Sequence, residues 1–241
     1  MHCELTHLPR EPIDYHLAVD QHENYERTLA SLGATIQRLA PLPFCPDAVF
    51  VEDTAIVLPE LAIVTRPGAE SRRAEIESVA EVLMRYRPVV QVDAPGTIDG
   101  GDVLVIGSTI YVGESTRTNE DAISQLVSFV RPHGYEVRTV RVNGCLHLKS
   151  AATRVAEATI LLNPRWVDAD LFSGVQTIEV HPDEPSAGNA VFMGKAVIHS
   201  AAFTRTRERL QKAGIDVVSV DVSELQKAEG AVTCCSILLN A

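Results

Sequence analysis

Residues 49–93 read VFVEDTAIVLPELAIVTRPGAESRRAEIESVAEVLMRYRPVVQVD, and the order of patterns in this stretch indicates the fold. Two apolar runs rich in Val and Ile, at 49–58 and 61–66, predict two strands. Residues 69–86 carry apolar side chains at helical spacing, and residues 88–93 return to a strand pattern. The stretch therefore predicts one strand–strand–helix–strand unit.

The same ββαβ order recurs along the chain. A second copy spans 101–142, a weaker third copy spans 150–180, and a fourth spans 189–222. A strand at 232–240 begins a fifth copy, which a helix and a strand within 20–41 complete. Because a unit shared between the two termini closes such an array, we predict an α/β fold, a five-bladed propeller of ββαβ modules around a central cavity. A generic α+β domain with coincidental repeats is the alternative.

The composition is that of one ordinary globular domain. Hydrophobic residues make up 46% of the 241 residues and charged residues 22%, which is enough apolar material for a substantial core. Since no linker rich in Pro, Gly or Ser interrupts it, we interpret residues 1–241 as a single domain. The five cysteines are odd in number and form no CxxC pair, which argues against a disulfide framework or a zinc site.

The net charge and the hydropathy of the sequence limit the classes of partner that this protein could bind. The formal net charge of −11 argues against nucleic acid, whose phosphates require a basic face, and is compatible with a small cationic ligand. No apolar run approaches the roughly 20 residues that cross a bilayer, and the first residues lack the pattern of a signal peptide. We therefore expect a cytoplasmic protein with neither a nucleic-acid nor a membrane partner.

Acidic residues are conspicuous beside two of the predicted strands. Asp47, Glu52 and Asp53 lie in PDAVFVED, and Asp99 and Asp102 lie in IDGGD. Carboxylates in so apolar a strand are costly to bury unless they are paired, so they are candidates for binding a cation at the central cavity. Strand alternation that exposes one of them, or a structural ion pair, would also explain them. The two glycines of IDGGD indicate a close approach of backbone.

A histidine and a cysteine pair could supply a base and a nucleophile. His147 lies in CLHLKS, on a predicted strand, where a structural role is the alternative. Cys234 and Cys235 are adjacent in VTCCSILL, and strand alternation lets only one of them face a given cavity. One cysteine, one histidine and several acids permit a Cys–His mechanism.

Several motifs, in this order, resemble the dimethylarginine dimethylaminohydrolases of the amidinotransferase (pentein) superfamily. The motifs are PDAVFVEDTAIV (46–57), TRPGAESRR (65–73), IDGGDVL (98–104), GESTRTN (113–119), LHLKS (146–150) and GAVTCCSIL (230–238). The resemblance runs from about Leu5 to the C-terminus. It implies a five-bladed α/β propeller of ββαβ modules, which agrees with the repeats.

The resemblance also implies a role for each matching residue. Cys234 becomes the nucleophile and His147 the general acid and base, while Asp53 and Asp99 bind the guanidinium nitrogens. The substrate-binding residues that it implies are Glu52 beside these carboxylates, Arg66 and Arg117 at the substrate carboxylate, Asp47 near the amino-acid end, Phe50 against the aliphatic stem, and the backbone carbonyls of Leu5 and Ala228.

The implied activity is hydrolysis of N-omega-methylated arginine, such as asymmetric dimethylarginine, to citrulline and dimethylamine through a covalent thiouronium on Cys234. The resemblance implies no metal and no organic cofactor, a small cationic guanidino amino acid as partner, and a homodimer as a possible assembly. Two alternatives stay open: deiminase-like hydrolysis of arginine or another alkylguanidine, and an inactive binder of guanidino amino acids. The intact set of Cys234, His147, Asp53 and Asp99 argues against the binder.

One feature departs from the family pattern. Family members begin with a strand ahead of the segment that matches CELTHLP, whereas this sequence has nothing before Met1. We therefore expect one blade to lack its outer or pairing strand.

Overall fold

The computed structural model describes residues 3–239, in which short strands and helices alternate. The α-helices are α1 (Tyr15–Ser31), α2 (Ile76–Leu83), α3 (Glu120–Val130), α4 (Leu148–Ala151), α5 (Thr204–Lys212) and α6 (Ser223–Gln226). The strands are β1 (Ala55–Val57), β2 (Ala62–Val64), β3 (Val89–Gln91), β4 (Val103–Ile106), β5 (Thr109–Glu114), β6 (Glu136–Arg141), β7 (Ala152–Ala156), β8 (Thr159–Leu162), β9 (Gln176–Glu179), β10 (Ala190–Phe192), β11 (Ala196–Ser200) and β12 (Asp216–Val220). No helix within this range is long and apolar enough to cross a bilayer.

Within residues 3–239 the strands form four sheets of three strands, and all four share one topology. The first strand pairs antiparallel with the middle strand, and the middle strand pairs parallel with the third. A parallel pair needs a crossover, which α2, α3 and α5 supply in three sheets and the 3₁₀ turn Ala169–Leu171 supplies in the other. The four complete units predicted between 49 and 222 are therefore present.

Apolar side chains join each unit to the next along the chain. Ile63 of the first sheet packs in one buried cluster with Ile110 of the second. Similar clusters join the second sheet to the third and the third to the fourth. The fourth sheet contributes Ile198 to a cluster with Tyr25 of α1 and Cys235. Each such side chain, when fully buried, contributes about 1.5–3 kcal/mol to folding, so these contacts hold the four sheets and α1 in fixed relation.

A short helical turn precedes the first strand of each sheet. The four turns are Val51–Thr54, Gly100–Asp102, Leu148–Ala151 and Pro185–Gly188. The second and third turns contact each other, the first contacts the second, and the third contacts the fourth. A further turn at 232–235 precedes the C-terminal segment. The repeat thus places five turns, carrying the acids, the histidine and the cysteines, on neighbouring parts of the molecule.

These turns correct the local structure that the sequence predicts around the candidate residues. Glu52 and Asp53 lie in a 3₁₀ turn, and His147 caps α4; neither lies in a strand. A turn sends consecutive side chains in directions that strict strand alternation does not allow. Close approach of backbone at IDGGD is confirmed, because a Cβ on Gly100 would lie 2.0 Å from the carbonyl oxygen of Glu52.

The fifth unit is incomplete among the described residues. Helix α1 is present, capped by the Asp14 side chain, and buries Tyr25 and Leu29. The strands predicted within 34–41 and 232–240 are not formed between residues 3 and 239, where 236–239 is irregular. In the other units a middle strand supplies the backbone partners that both flanking strands need. The expected missing strand ahead of Met1 falls outside the described residues.

Candidate active site

A small cavity lies where the turns meet. The residues that line it are Glu4, Asp47, Phe50, Asp53, Arg72, Asp99, Arg117, Leu146, His147, Ala228, Glu229, Gly230 and Cys234. The structure therefore brings together the predicted nucleophile, the predicted acid–base residue and both carboxylates that are predicted to bind a guanidinium. Glu52, Arg66 and Leu5 do not line this cavity, and Arg72 does so although the sequence analysis did not single it out.

His147 is buried between two carboxylates. Its Nε2 lies 3.0 Å from Oδ2 of Asp99, and its Nδ1 lies 3.8 Å from Oδ1 of Asp53. Burial alone would lower the pKa of His147, but the charge of Asp53, the hydrogen bond to Asp99 and the charge of Asp102 together raise the pKa to about 10. The resting side chain is thus an imidazolium at neutral pH, and an imidazolium can serve as a general acid.

Backbone and arginine donors fix the two carboxylates. The amide of Gly101 donates to Oδ1 of Asp53 at 3.0 Å, and the amide of Gly68 donates to Oδ1 of Asp99 at 2.9 Å. Burial would raise the pKa of Asp53, but the adjacent His147 and Arg72 charges outweigh it and lower that pKa. Asp53 therefore stays ionised and able to bind a cation.

The same three side chains could also surround a metal ion. Asp53, Asp99 and His147 offer ligand atoms within 4.8 Å of one another, and they are the group of this kind found among residues 3–239. The cavity side of the group is nevertheless already satisfied by N–H donors from Arg72 and the protonated ring. A metal ion bound to His147 would have to displace a ring proton, whereas an organic cation can donate to the carboxylates and leave that proton in place.

Cys234 enters the cavity from the turn at 232–235, and Cys235 does not. Burial, followed by the charges of Glu52 and Asp53, raises the pKa of the Cys234 thiol well above its usual range. The thiol is therefore neutral in the resting protein, even with the His147 imidazolium in the same cavity. Cys235 packs in an apolar cluster with Tyr25, and burial raises its pKa to about 12. Only Cys234 of this pair is placed to act as a nucleophile.

Glu52 points away from the cavity and joins two other segments. Its Oε1 accepts a hydrogen bond from Nζ of Lys149 at 2.7 Å, and its Oε2 accepts one from Oγ1 of Thr233 at 2.5 Å. Its backbone amide also donates to the carbonyl of Cys234 at 3.1 Å. The side chain implied to bind substrate is thus engaged with protein groups instead.

Arginines on two loops approach the cavity. Arg72 is buried, donates to Asp53 at 2.5 Å and to Glu75 at 2.8 Å, and also donates to the carbonyl of Phe50. Arg117 is half-exposed, and among the contacts described its guanidinium donates only to Oγ1 of Thr6, through Nη2. The Arg66 side chain instead donates through Nη1 to the carbonyl of Gly96. The backbone of Arg66 forms an isolated antiparallel β-bridge with Ile98.

The N-terminal loop covers one side of the cavity. The Glu229 carboxylate accepts from the amides of Thr6, His7 and Leu8, and Asp47 accepts from the amide of Glu4 at 3.1 Å. These contacts hold the loop that contains Leu5 beside the cavity, although Glu4 rather than Leu5 lines it. Ala228 and Phe50 line the cavity, as the resemblance implies.

Asp102 lies outside the cavity and links the segment after His147 to the loop that contains Arg117. Its Oδ1 accepts from the amide of Leu148 at 3.0 Å, and its Oδ2 accepts from the hydroxyls of Ser115 and Thr118. Burial raises the pKa of Asp102, and the nearby His147 charge and these donors offset only part of that rise. Asp102 therefore supports the site through its neighbours and does not reach the cavity.

The charge of His147 predicts a pH-dependent stability. The folded protein holds the His147 proton up to its pKa of about 10, whereas the unfolded chain releases it near the ordinary histidine pKa of 6.5. This contribution is fully present below pH 6.5 and is lost as pH rises through 10, so the free energy of unfolding should fall by on the order of 1 kcal/mol per pH unit between these values. Urea unfolding at pH 7, 8, 9 and 10 measures it.

The matched variant is His147→Gln, which removes the titrating group. Its free energy of unfolding should depend less on pH over this interval than that of the wild type. Parallel pH dependences for the two proteins would show that His147 is not the group that gains a proton on folding.

Comparison with known proteins identifies the family of this chain. A family model described as "N,N dimethylarginine dimethylhydrolase, eukaryotic" matches residues 9–170. A protein from Streptomyces coelicolor named N(G),N(G)-dimethylarginine dimethylaminohydrolase is 40% identical over 238 residues, which cover 98% of this chain and 91% of the relative. The protein of that name from Pseudomonas aeruginosa is 37% identical over 226 residues, which cover 93% of this chain and 89% of the relative.

A solved structure extends the likeness to the fold. It is the dimethylarginine dimethylaminohydrolase of Pseudomonas aeruginosa, as a cysteine-to-serine variant complexed with citrulline. It matches with a TM-score of 0.91 at 36% identity and covers 96% of this chain and 91% of that one. Similarity at this level over nearly the whole chain leaves one conclusion: the chain belongs to the dimethylarginine dimethylaminohydrolase family.

Proposed function

We propose that this protein hydrolyses N-omega-methylated arginine, with asymmetric dimethylarginine as the substrate, to citrulline and dimethylamine. The observation that carries the proposal is the cavity in which Cys234 meets His147 between Asp53 and Asp99. A buried pair of carboxylates suits a guanidinium, and a thiol beside it suits nucleophilic attack on the guanidinium carbon. The family relatives named for this activity support the choice of substrate.

The substrate guanidinium would lie between Asp53 and Asp99. Hydrogen bonds to two carboxylates keep the group planar and fix the direction from which its carbon is attacked. Phe50 would flank the aliphatic stem, and Asp47 would accept from the amino group. Arg117 would hold the substrate carboxylate, because most donors of Arg72 are committed to Asp53 and Glu75, and Arg66 is bonded elsewhere.

Binding of the cation would prepare the nucleophile. A guanidinium beside Cys234 adds a positive charge to a site where Glu52 and Asp53 disfavour the thiolate, so it lowers the pKa of the thiol. The thiol proton leaves to solvent. The thiolate then attacks the guanidinium carbon and forms a carbon–sulfur bond, which gives a tetrahedral adduct.

His147 would move the protons in both halves of the reaction. Its imidazolium donates a proton to the dimethylamino nitrogen, the carbon–nitrogen bond breaks, dimethylamine leaves, and a thiouronium remains on Cys234. Neutral His147 then takes a proton from water as the oxygen attacks the same carbon. The carbon–sulfur bond breaks, citrulline leaves after losing a proton to solvent, and the protonated histidine is restored.

We propose that the four sheets and the fifth unit form the five-bladed propeller that the repeat predicts. Buried clusters support closure of the ring, since one joins the fourth sheet to α1 and another joins Ala62 of the first sheet to Leu39 and Ile237. An apolar groove lies between the segments 34–41 and 236–239. A strand in this groove, between the two segments, would complete the fifth unit on the plan of the other four. A single domain, a homodimer and a cytoplasmic location stay predictions.

The test of the proposed function is a product assay. Purified protein is given asymmetric dimethylarginine in one reaction and arginine in a parallel one. We expect citrulline and dimethylamine in equal amounts from the methylated substrate, and at least about a hundredfold less citrulline from arginine, because only the methylated head matches the family's named substrate. Chromatographic quantification of citrulline, dimethylamine and ammonia measures all three products.

Two outcomes would contradict the proposal in different ways. Citrulline and ammonia from arginine at a comparable rate would make the protein a deiminase-like enzyme. Binding of either compound without any product, in protein whose thiols are shown to be reduced, would make it a binder of guanidino amino acids.

A further inference from the structure

Side chains outside the cavity connect the segment of Cys234 to the segment of His147. Glu52 accepts from Lys149 at 2.7 Å and from Thr233 at 2.5 Å. Lys149 is two residues beyond His147, and Thr233 directly precedes Cys234. Glu52 therefore bridges the two segments that carry the reacting groups, and none of the three bridging side chains lines the cavity.

Asn189 closes this bridge into a network. Its Nδ2 donates to the carbonyl of Lys149 at 3.0 Å and to Oγ1 of Thr233 at 2.9 Å, and its Oδ1 accepts from the amide of Thr233 at 3.0 Å. The contacts come from the turns ahead of three sheets and from the turn of Cys234. Buried networks in which each member is satisfied hold their members in one geometry.

We propose that Lys149 is a positioning residue of the reaction: it offsets the charge of Glu52 beside the nucleophile and holds the Cys234 segment against the His147 segment. The inference rests on the proposed function, since it concerns the same nucleophile. Lys149 is the cation paired with Glu52, and its side chain is one-fifth exposed. A pair this well shielded from water interacts more strongly than an exposed one.

The charges around Cys234 give the inference its direction. After burial, the carboxylate of Glu52 is the first group that raises the pKa of the thiol, followed by Asp53. Removing the cation that offsets Glu52 makes a thiolate less favourable. The charges that act on Cys234 come from Glu52 and Asp53 of the 3₁₀ turn 51–54, and Tyr25 of α1 and Cys235 are the further titratable groups beside it. The other charged and titratable groups that line the same cavity are Glu4, Asp47, Arg72, Asp99, Arg117, His147 and Glu229. Lys149 acts on Cys234 through its ion pair with Glu52.

The experiment measures thiolate reactivity without substrate. Iodoacetamide alkylates the wild type, Lys149→Met, Lys149→Arg and the exposed-lysine control Lys212→Met at pH 7, 8 and 9, and peptide mass spectrometry quantifies modification of Cys234. We expect Cys234 in Lys149→Met to react about tenfold more slowly at each pH, which corresponds to a pKa higher by about one unit. Lys149→Arg should restore most of the rate, and Lys212→Met should match the wild type.

Turnover separates positioning from substrate contact. With asymmetric dimethylarginine, kcat of Lys149→Met should fall about tenfold with KM within about twofold, because Lys149 does not line the cavity. A raised KM at unchanged kcat would instead make Lys149 a substrate contact and overturn the proposal. An alkylation rate equal to that of the wild type in folded Lys149→Met would also overturn it.

A second variant covers the case in which Lys149→Met does not fold. Glu52→Gln removes the negative charge and keeps an oxygen and an amide for Lys149 and Thr233. Cys234 should then alkylate faster than in the wild type, and an unchanged rate would contradict the role of the Glu52–Lys149 pair. Alkylation needs no substrate, so a wild type inactive on methylated arginine refutes the proposed function while this readout still decides the role of Lys149.

Discussion

Cys234→Ser should abolish hydrolysis of asymmetric dimethylarginine, with kcat falling by about 10³-fold or more, as expected when the nucleophile of a covalent mechanism is removed. A serine hydroxyl has a far higher pKa than a thiol, and the acidic surroundings of Glu52 and Asp53 disfavour its ionisation further. Steady-state assay of citrulline measures the loss, and binding of substrate by calorimetry shows that the cavity persists.

The neighbouring cysteine provides the matched control. Cys235→Ser changes the same atom one residue away, in an apolar cluster outside the cavity. Its sulfur already lies 3.6 Å from the carbonyl of Ala231, so a serine hydroxyl has an acceptor to bond and should cost only about 1–2 kcal/mol of stability. Its kcat should stay within about threefold of the wild type. Equal losses in the two variants would remove Cys234 from its role.

The order of units could be predicted because each unit repeats the same hydrophobic periods. Residues 49–93 carry two apolar runs, then apolar residues at helical spacing, then a third strand pattern. This is the order of β1, β2, α2 and β3. The first residue of α2 could not be predicted from the same pattern. The prediction places helical spacing from 69, whereas the α-helix begins at Ile76, after the 3₁₀ helix Glu70–Glu75. Short-range periodicity does not distinguish these two helical forms.

The fifth unit shows where periodicity is insufficient. Residues 34–41 and 232–239 have strand-like sequences, yet neither segment is assigned as a strand in the described part of the chain. A strand is stabilised by its neighbours, and a sequence pattern does not reveal whether a partner is present. The strand predicted at 232–240 depends on such a partner too, and Cys234 and Cys235 lie in a turn instead.

The sequence could predict which residue types form the candidate site, but not which of their side chains point into the cavity. Cys234, His147, Asp53 and Asp99 meet in one cavity because equivalent turns precede successive sheets. The exchange of Arg66 for Arg72 has a different cause. Both lie in TRPGAESRR, and only the 3₁₀ helix that follows the first of them turns the second towards Asp53.

Glu52 shows a second limit of the sequence prediction, because its hydrogen-bond partners could not be predicted. It adjoins Asp53 in sequence, so a shared role is the simplest interpretation, but the 3₁₀ turn directs the two carboxylates to different partners. Lys149, which is largely shielded from water, and the buried Thr233 both donate to Glu52 and not to Asp53. Such a pairing between residues about 100 to 180 positions apart is not visible in one sequence.

His147→Gln should arrest the reaction after attack and not before it. The variant lacks the acid that protonates dimethylamine and the base that activates water, so turnover of asymmetric dimethylarginine should fall by about 10²–10⁴-fold. A substrate analogue with an S-methyl leaving group needs no proton to depart, because a thiolate is a far better leaving group than an amide anion. With this analogue the covalent thiouronium should form and persist, since its hydrolysis still requires the missing base.

Intact-protein mass spectrometry measures the adduct as a mass increase equal to the analogue minus its leaving group. In His147→Gln the adduct should dominate within the time of several wild-type turnovers, and it should be absent from a double variant that also carries Cys234→Ser. The exposed-histidine control His133→Gln should turn over like the wild type. If His147→Gln hydrolyses both compounds at near wild-type rates, the imidazolium between Asp53 and Asp99 is a structural ion pair, and the proton transfers must pass through another group.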